Sequence, residues 1–382
     1  MHLPLRFLLK RSAHAVLIIL SCLFLAHTSA EPPGKVDLNP TFTISKYSPG
    51  SPMHMVGYGD MRFTDPSVKI GTNPRVRKWL AERVAEENPE VLMLTGDMPY
   101  VGASDADWQV FRDETATWRK NHVLELPTIG NHEVRGDYQK GIANYLKNFS
   151  GLKGHRYYSV LMGSIEAISL DMTSPSGGTS TQATWFAAQL DHLPKQVEFL
   201  FILYHTPWVV DEQSKLFTNL PSKEALTLRH LLEIHLYKMH AKVIVISGHV
   251  HNYERFERNG VEYIISGGGG AEPYPLLFRG SADLYRDTGF PVYHYLTIDY
   301  RGGTLHAVMW KVKDPDAETL SVEKKDEFTL TAEGDERTRL RVVESGHESL
   351  DWPDAEKQRY ADEHRDGWGE FLDRLATLLA KR

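Results

Sequence analysis

Apolar runs short enough to be buried strands alternate along this chain with stretches of helical periodicity, and five of the runs lead to a short polar string. Met53–Tyr58 ends at Gly59-Asp60, Val91–Leu94 leads to Gly96-Asp97, and a short run to Ile129 leads to Gly130-Asn131-His132. Between the first two, Val76, Trp79, Leu80 and Val84 share one face of a helix predicted over Pro74–Glu87, with Pro74 suited to the first turn. A second helix is predicted over Asp105–Asn121. Tyr157–Leu161 and Ile165–Leu170 read as a hairpin turned at Met162-Gly163-Ser164, and Thr181–Leu193 as a helix capped by Ser180 or Thr181. The run Phe199–Leu203 delivers Tyr204-His205, a long helix follows over Ser222–Met239, and Val243–Ile246 precedes Gly248-His249. Glu262–Ile265, which ends in the run Ser266–Gly270, and the strand pair Tyr293–Asp299 and Thr304–Val312 complete the pattern.

Strand, helix and strand with polar residues at the strand ends is an α/β pattern. In such folds ligands collect outside the carboxyl ends of the strands. The paired β-runs predict two packed sheets with helices outside, rather than one doubly wound sheet. This domain is read over 53–313. The Pro-rich, aperiodic residues 31–52 read as an N-terminal extension. After Lys313 the composition turns to Glu, Asp, Lys and Arg, so 314–382 reads as a charged C-terminal extension ending in an amphipathic helix with Phe371, Leu372, Leu375, Leu378 and Leu379 on one stripe.

The first thirty residues change the picture of where the chain works. Arg6, Lys10 and Arg11 precede an apolar stretch from Ala15 to Ala26 and a small-residue segment ending at Ala30. This reads as an export signal over 1–30, cleaved after Ala30, which predicts a secreted or periplasmic protein with no stable membrane span. The apolar stretch is short beside the roughly 20 residues a span needs. The alternatives are an uncleaved anchor and a lipid on Cys22, the only cysteine in the chain. With no thiol outside that segment, any metal must be held by oxygen and imidazole. A net charge of −7 excludes a nucleic-acid coat, and no nucleic-acid partner is expected.

The polar strings supply the chemistry. Hydrolysing a phosphate ester needs a nucleophile, neutralisation of the phosphate charge and help for the leaving oxygen, and two cations about 3.5–4 Å apart meet the first two needs. Asp60 and Asp97 each follow a glycine that lets the chain turn and aim a carboxylate into a cleft. Asn131 and His132 offer an amide oxygen and an imidazole, and His205 adds another imidazole. His249 and His251 stand two apart, on one side of an extended chain. Each element alone is weak; the ordered set of five is not. The run Ser266–Gly270 is not a phosphate loop, because no Gly-Lys-Ser/Thr follows; it lets backbone pass close to the site.

The strings GDMR, GDMPY, GNHE, YHTP and GHVH, spanning Asp60 to His251, resemble the five motifs of the calcineurin-like metallophosphoesterase superfamily. The resemblance implies a four-layer α/β/β/α sandwich and a two-metal centre. In it Asp97 bridges both ions, Asp60 and His251 hold the first, and Asn131, His205 and His249 hold the second. His132 assists the leaving group or steadies the phosphate. Many members place a ligand His where this chain has Arg62. Purple acid phosphatases lack that His and use a Tyr three residues after the second Asp, where this chain has Tyr100; GHVHNYER from Gly248 to Arg255 also resembles theirs. That likeness implies Tyr100 as a further ligand of the first metal, and iron paired with zinc, manganese or a second iron. At Arg62 a guanidinium is placed either to hold a phosphate oxygen or to form a structural ion pair, and Arg255 has the same two readings.

The expected activity is that of an exported binuclear phosphatase acting on small phosphate monoesters, with in-line attack by a hydroxide held on the metal pair. The alternatives are a phosphodiesterase or nucleotide hydrolase on the same fold, and a non-catalytic phosphate-binding or scaffold protein.

Overall fold

The computed structural model describes residues 38–211, 220–276 and 278–332, with the single positions 357 and 368. The chain divides into two compact units, 1–38 and 39–382. Of the first only Leu38 is described, so the export signal lies outside the described residues, as does the stripe of the terminal amphipathic helix.

Thirteen described strands form two mixed sheets. The seven-stranded sheet runs in the order β1 (Thr41–Thr43), β5 (Tyr158–Met162), β6 (Ile165–Ser169), β7 (Phe199–Leu203), β8 (Lys242–Ser247), β10 (Val261–Ser266) and β9 (Tyr253–Arg258). The six-stranded sheet runs β13 (Val322–Thr331), β12 (Thr304–Val312), β11 (His294–Arg301), β2 (Met53–Tyr58), β3 (Val91–Leu94) and β4 (Leu124–Pro127). β6, β7, β8 and β10 are mutually parallel, as are β2, β3 and β4, so the strands that carry the polar strings end together within each sheet.

The central strands β3 and β7 are apolar throughout because both their faces are covered. In β7, Phe199, Phe201 and Leu203 face the other sheet, joining a core with Met55, Val56, Leu296 and Ile298, while Leu200 and Ile202 face outward under helices. β8 repeats this, with Ile244 and Ile246 inward and Val243 and Val245 outward. The outer face of the seven-stranded sheet is covered by α5 (Thr181–Asp191) and α6 (Lys223–His235), through Trp185, Phe186, Leu228 and Leu232. The other sheet is flanked by α1 (Pro74–Glu86), α2 (Asp105–Glu114), α3 (Ala116–Lys120) and α4 (Tyr138–Asn148), whose Val76, Leu80, Phe111, Trp118 and Tyr145 belong to the same connected core cluster as this sheet's strands. This is the expected sandwich of two packed mixed sheets flanked by helices. α1, α2, α4, α5 and α6 each start at a side-chain cap, from Asn73, Ser104, Asp137, Ser180 and Ser222 respectively, which satisfies an otherwise orphaned N–H.

The structure departs from the sequence reading at several places. The helix expected over Asp105–Asn121 breaks at Thr115, whose Oγ1 bonds back to Phe111 O at 2.5 Å. The helix α4 was not foreseen. The residues read as an aperiodic N-terminal extension contribute β1, which pairs parallel with β5. The sheet also runs past the composition change at Lys313: β13 pairs along the whole of β12, with a bulge at Met309/Trp310. β13 is charged because it is an edge strand, and charge on an edge opposes further pairing. Its Asp326 is held from the other sheet by Arg255 Nε at 2.7 Å and Tyr253 Oη at 2.9 Å, and Arg255 also pairs with Glu262 at 3.1 Å. Of the two readings open for Arg255, the structure gives the ion pair.

Candidate metal centre

The carboxyl ends of β2, β3 and β4 from one sheet meet those of β7 and β8 from the other, and each delivers one polar string. The chain turns there through left-handed backbone that side chains rarely adopt: Asp60, Arg62, Asp97 and His249 have φ of 58°, 52°, 54° and 69°. Such residues cost of order 1–3 kcal/mol each, and four in one cluster mark a functional site. Gly96 turns at φ 94° before Asp97, as expected, but before Asp60 it is the aspartate itself that takes the left-handed conformation. A Cβ on Gly248 would strike Asp60 Oδ2, and one on Gly130 would strike Asp97 Oδ1, so these glycines leave room for the carboxylates. The run after β10 threads behind the site as expected, with Gly269 N on Gly59 O at 2.8 Å and Ala271 N on Asp60 O at 2.7 Å.

The structure brings the predicted residues together. One donor atom from each of Asp60, Asp97 and His251 lies within 4.8 Å of the others, and all three residues are buried. His251 Nε2 is 3.6 Å from Asp60 Oδ1. Beside them, Asn131 Oδ1 stands 3.0 Å from His249 Nδ1 and 3.2 Å from His205 Nε2, and His205 Nε2 is 3.2 Å from Asp97 Oδ1. Asp97 therefore lies between the two groups. Backbone carbonyls orient two imidazoles: His251 Nδ1 donates to Glu272 O and His205 Nδ1 to Thr95 O, both at 2.7 Å, which turns each Nε2 toward the centre. His249 is anchored by its own N–H, which donates to Asp60 Oδ2 at 2.9 Å.

These residues suit a pair of cations. Asp97 Oδ2 and His251 Nε2 are buried without a hydrogen-bond partner. Burial, and then the neighbouring Asp97, push the Asp60 carboxyl well above the usual range, with Arg62 opposing. Burial also pushes Asp97 up, but His205, His132 and Arg62 outweigh it and hold that carboxyl low. Burial, helped by His205, lowers His249 to about 4, and burial lowers His251 well below its ordinary value. Neutral imidazoles beside buried carboxylates are a hard-to-borderline donor set for divalent or trivalent ions, and a cation relieves the repulsion between the acids.

The remaining predicted residues line this cluster. His132 N donates to Asp97 Oδ1 at 2.8 Å, its Nδ1 bonds Tyr100 O at 2.6 Å, and its Nε2 is 3.8 Å from Asp97 Oδ2. Burial lowers His132, partly offset by Asp97. Arg62 reaches the centre: NH2 is 3.6 Å from Asp97 Oδ2, and NH1 donates to Gly71 O at 3.3 Å. The Tyr100 ring lies edge-on to His132 at 5.6 Å, and its hydroxyl and Arg62 NH1 converge on Gly71.

Two neighbours escaped the sequence reading. Glu133, the last residue of GNHE, is fully buried and accepts the N–H groups of Gly130 at 2.6 Å, Met98 at 2.8 Å and Asp97 at 3.0 Å. Burial and Asp97 raise it to about 8 despite those donors. Its signal was its place beside Asn131-His132. Tyr274 stacks on His251, with centroids 4.3 Å apart, and nothing in its loop foretold this.

The calcineurin-like phosphoesterase family model matches residues 53–253. The chain is similar to purple acid phosphatase 21 of Arabidopsis thaliana, 27% identical over 247 residues, which is 60% of this chain and 52% of that protein. It thus spans about half the length of the curated relatives it matches. Among solved structures, a purple acid phosphatase (PPD1) from yellow lupin seeds has a TM-score of 0.58 at 16% identity, covering 74% of this chain and 54% of that one. GAP50, the anchor in the inner membrane complex of Plasmodium, has a TM-score of 0.54 at 14% identity, covering 72% and 89%; at these identities the likeness is one of fold. With its five polar strings gathered on this fold and the family model spanning more than half its length, the chain belongs to the calcineurin-like phosphoesterase family.

Proposed function

We propose that the protein is an exported two-metal phosphatase that hydrolyses phosphate monoesters. The observation that supports this most is the convergence of Asp60, Asp97 and His251 within 4.8 Å, with Asp97 Oδ2 and His251 Nε2 buried and without a hydrogen-bond partner. In this reading Asp60, Tyr100 and His251 would hold a first ion, Asn131, His205 and His249 a second, and Asp97 would serve both. When bound, the cations acidify a water and neutralise phosphate charge. Tyr100 as a ligand favours iron at the first position, with zinc, manganese or iron at the second. His132, its Nδ1 tied to Tyr100 O, keeps Nε2 beside the centre to steady the departing oxygen. The two donors on each arm of Arg62 suit a phosphate oxygen. Monoesters are favoured because the relatives are purple acid phosphatases, and export because of the N-terminal residues 1–30. Among the described residues no helix is long and apolar enough to cross a membrane.

The test combines elemental analysis and a visible spectrum of the purified protein with turnover of an aryl phosphate and its diester. Two metals per chain and a preference for the monoester are expected. Asp97→Ala should lose activity by more than about a hundredfold, at least the loss that follows when a metal's supporting group is removed, while its circular dichroism stays native. Near-normal turnover in that variant would overturn the bridging role, and a strong preference for the diester would make the enzyme a phosphodiesterase.

A further inference from the structure

Arg135 ends the segment that carries Asn131 and His132, and its main chain is fixed on both sides. Arg135 N donates to His132 O at 3.2 Å, and Arg135 O accepts from Ala103 N at 3.1 Å. The next residue, Gly136, turns at φ 92°, against Val101 and Ala103. The guanidinium carbon stands 4.7 Å from the centroid of the Tyr100 ring, and that ring lies 5.6 Å from His132. The cation is therefore held on the rim of the centre, one aromatic ring away from His132.

What matters at Arg135 is the combination of its place beside the centre and its partner. Arg62, Arg77, Arg156, Arg255 and Arg279 all face carboxylates: Asp97, Glu114, Asp171, Asp326 and Asp283. Among the described residues no carboxylate forms an ion pair with Arg135, which is exposed and whose guanidinium lies over the Tyr100 face. An aromatic face attracts a cation but takes none of its hydrogen-bond donors. All five guanidinium N–H groups stay available, in a fork that matches carboxylate or phosphate oxygens. A donor fork already held in place binds with little further loss of side-chain freedom.

Resting on the phosphatase reading above, we propose that Arg135 is a specificity-determining residue, whose guanidinium binds a second anionic group, carboxylate or phosphate, on the ester being cleaved. The preferred substrates are then small phosphate esters with two acidic groups. The spacing of one aromatic ring between Arg135 and His132 suits an anion a few bonds from the scissile phosphate.

The test uses the full chain, with metals supplied, and two esters that differ in one group: 3-phosphoglycerate, which carries a carboxylate, and glycerol 3-phosphate, which carries a hydroxymethyl there. The wild type should favour the carboxylate ester by about tenfold in kcat/KM, the scale of one charge-assisted hydrogen bond, with the difference in KM. Arg135→Gln should bring the ratio to about one, and Arg135→Lys, which keeps the charge without the fork, should retain part of it. A wild-type ratio of about one, or the same ratio in Arg135→Gln, would overturn the assignment while leaving the phosphatase reading intact. Hydrolysis of neither ester, nor of an aryl phosphate, by metal-supplied wild type would overturn both.

Discussion

At the scale of single residues, the side chains around the centre divide into those that face it and those that hold them there. Glu133 belongs to the second kind: it touches no substrate position but fixes the main chain at Gly130, Asp97 and Met98. Loss of such a supporting group commonly costs about 10–100-fold in metal affinity or activity. Glu133→Gln, which keeps the shape but replaces an acceptor oxygen by a donor, should show that loss in a metal titration while remaining folded. His294 gives a pH dependence instead. It is fully buried, donates from Nδ1 to Val292 O at 3.0 Å, accepts at Nε2 from Ser266 Oγ at 3.2 Å, and burial lowers it to about 4. The unfolded chain takes up that proton below about pH 6.5, the folded one only near 4. The stability this histidine contributes is present above pH 6.5 and is lost as the pH falls toward 4, by up to about 3 kcal/mol. Denaturant midpoints at pH 7 and pH 4.5 should lie closer together in His294→Gln than in the wild type.

At the scale of elements, β13 shows how local chemistry and position diverge. By itself Val322–Thr331 has exposed Glu and Lys on an edge, and among the described residues it pairs only with β12. Its tie to the opposite sheet is the Arg255–Asp326 pair, whose side chains are 14% and 12% exposed, together with Arg255 stacked on Phe328 at 4.4 Å. Removing one partner of a largely buried pair leaves the other charge without compensation, at a cost of about 3 kcal/mol. Arg255→Ala should lower stability by that amount in urea. A double-mutant cycle with Asp326→Ala should find the two changes strongly coupled, because the second change removes the stranded carboxylate.

At the scale of the whole molecule, two sheets meet at an edge where buried acids and imidazoles crowd together. Asp60 and Asp97 oppose one another there. Cations that bind this arrangement and not the unfolded chain add stability by mass action, about 2.7 kcal/mol when free metal exceeds the dissociation constant a hundredfold. Stripping metal with a chelator should lower the melting temperature, and adding it back should restore the midpoint together with activity. In Asp97→Ala the same chelator should shift the midpoint much less, since the residue between the two groups is gone.

Much of this was legible in the chain. The strands behind the five polar strings, the hairpin at Gly163, the helix after Pro74 and the residues Asp60, Asp97, Asn131, His132, His205, His249 and His251 follow from local rules: apolar runs that stop, periodic faces, caps and turns. Those rules act between neighbours in sequence, and so a sequence records them. β13 and the N-terminal β1 were not legible, because a partner strand far along the chain, and not their own composition, makes them strands. Nor were the ion pair of Arg255, the stacking of Tyr274 on His251 or the placement of Arg135 over the Tyr100 ring, since each depends on which distant groups arrive beside it. The sequence by itself determined which ligands and turns exist and in what order. The tertiary structure alone decided which of them meet, because burial and charge compensation depend on contacts between residues far apart in the chain.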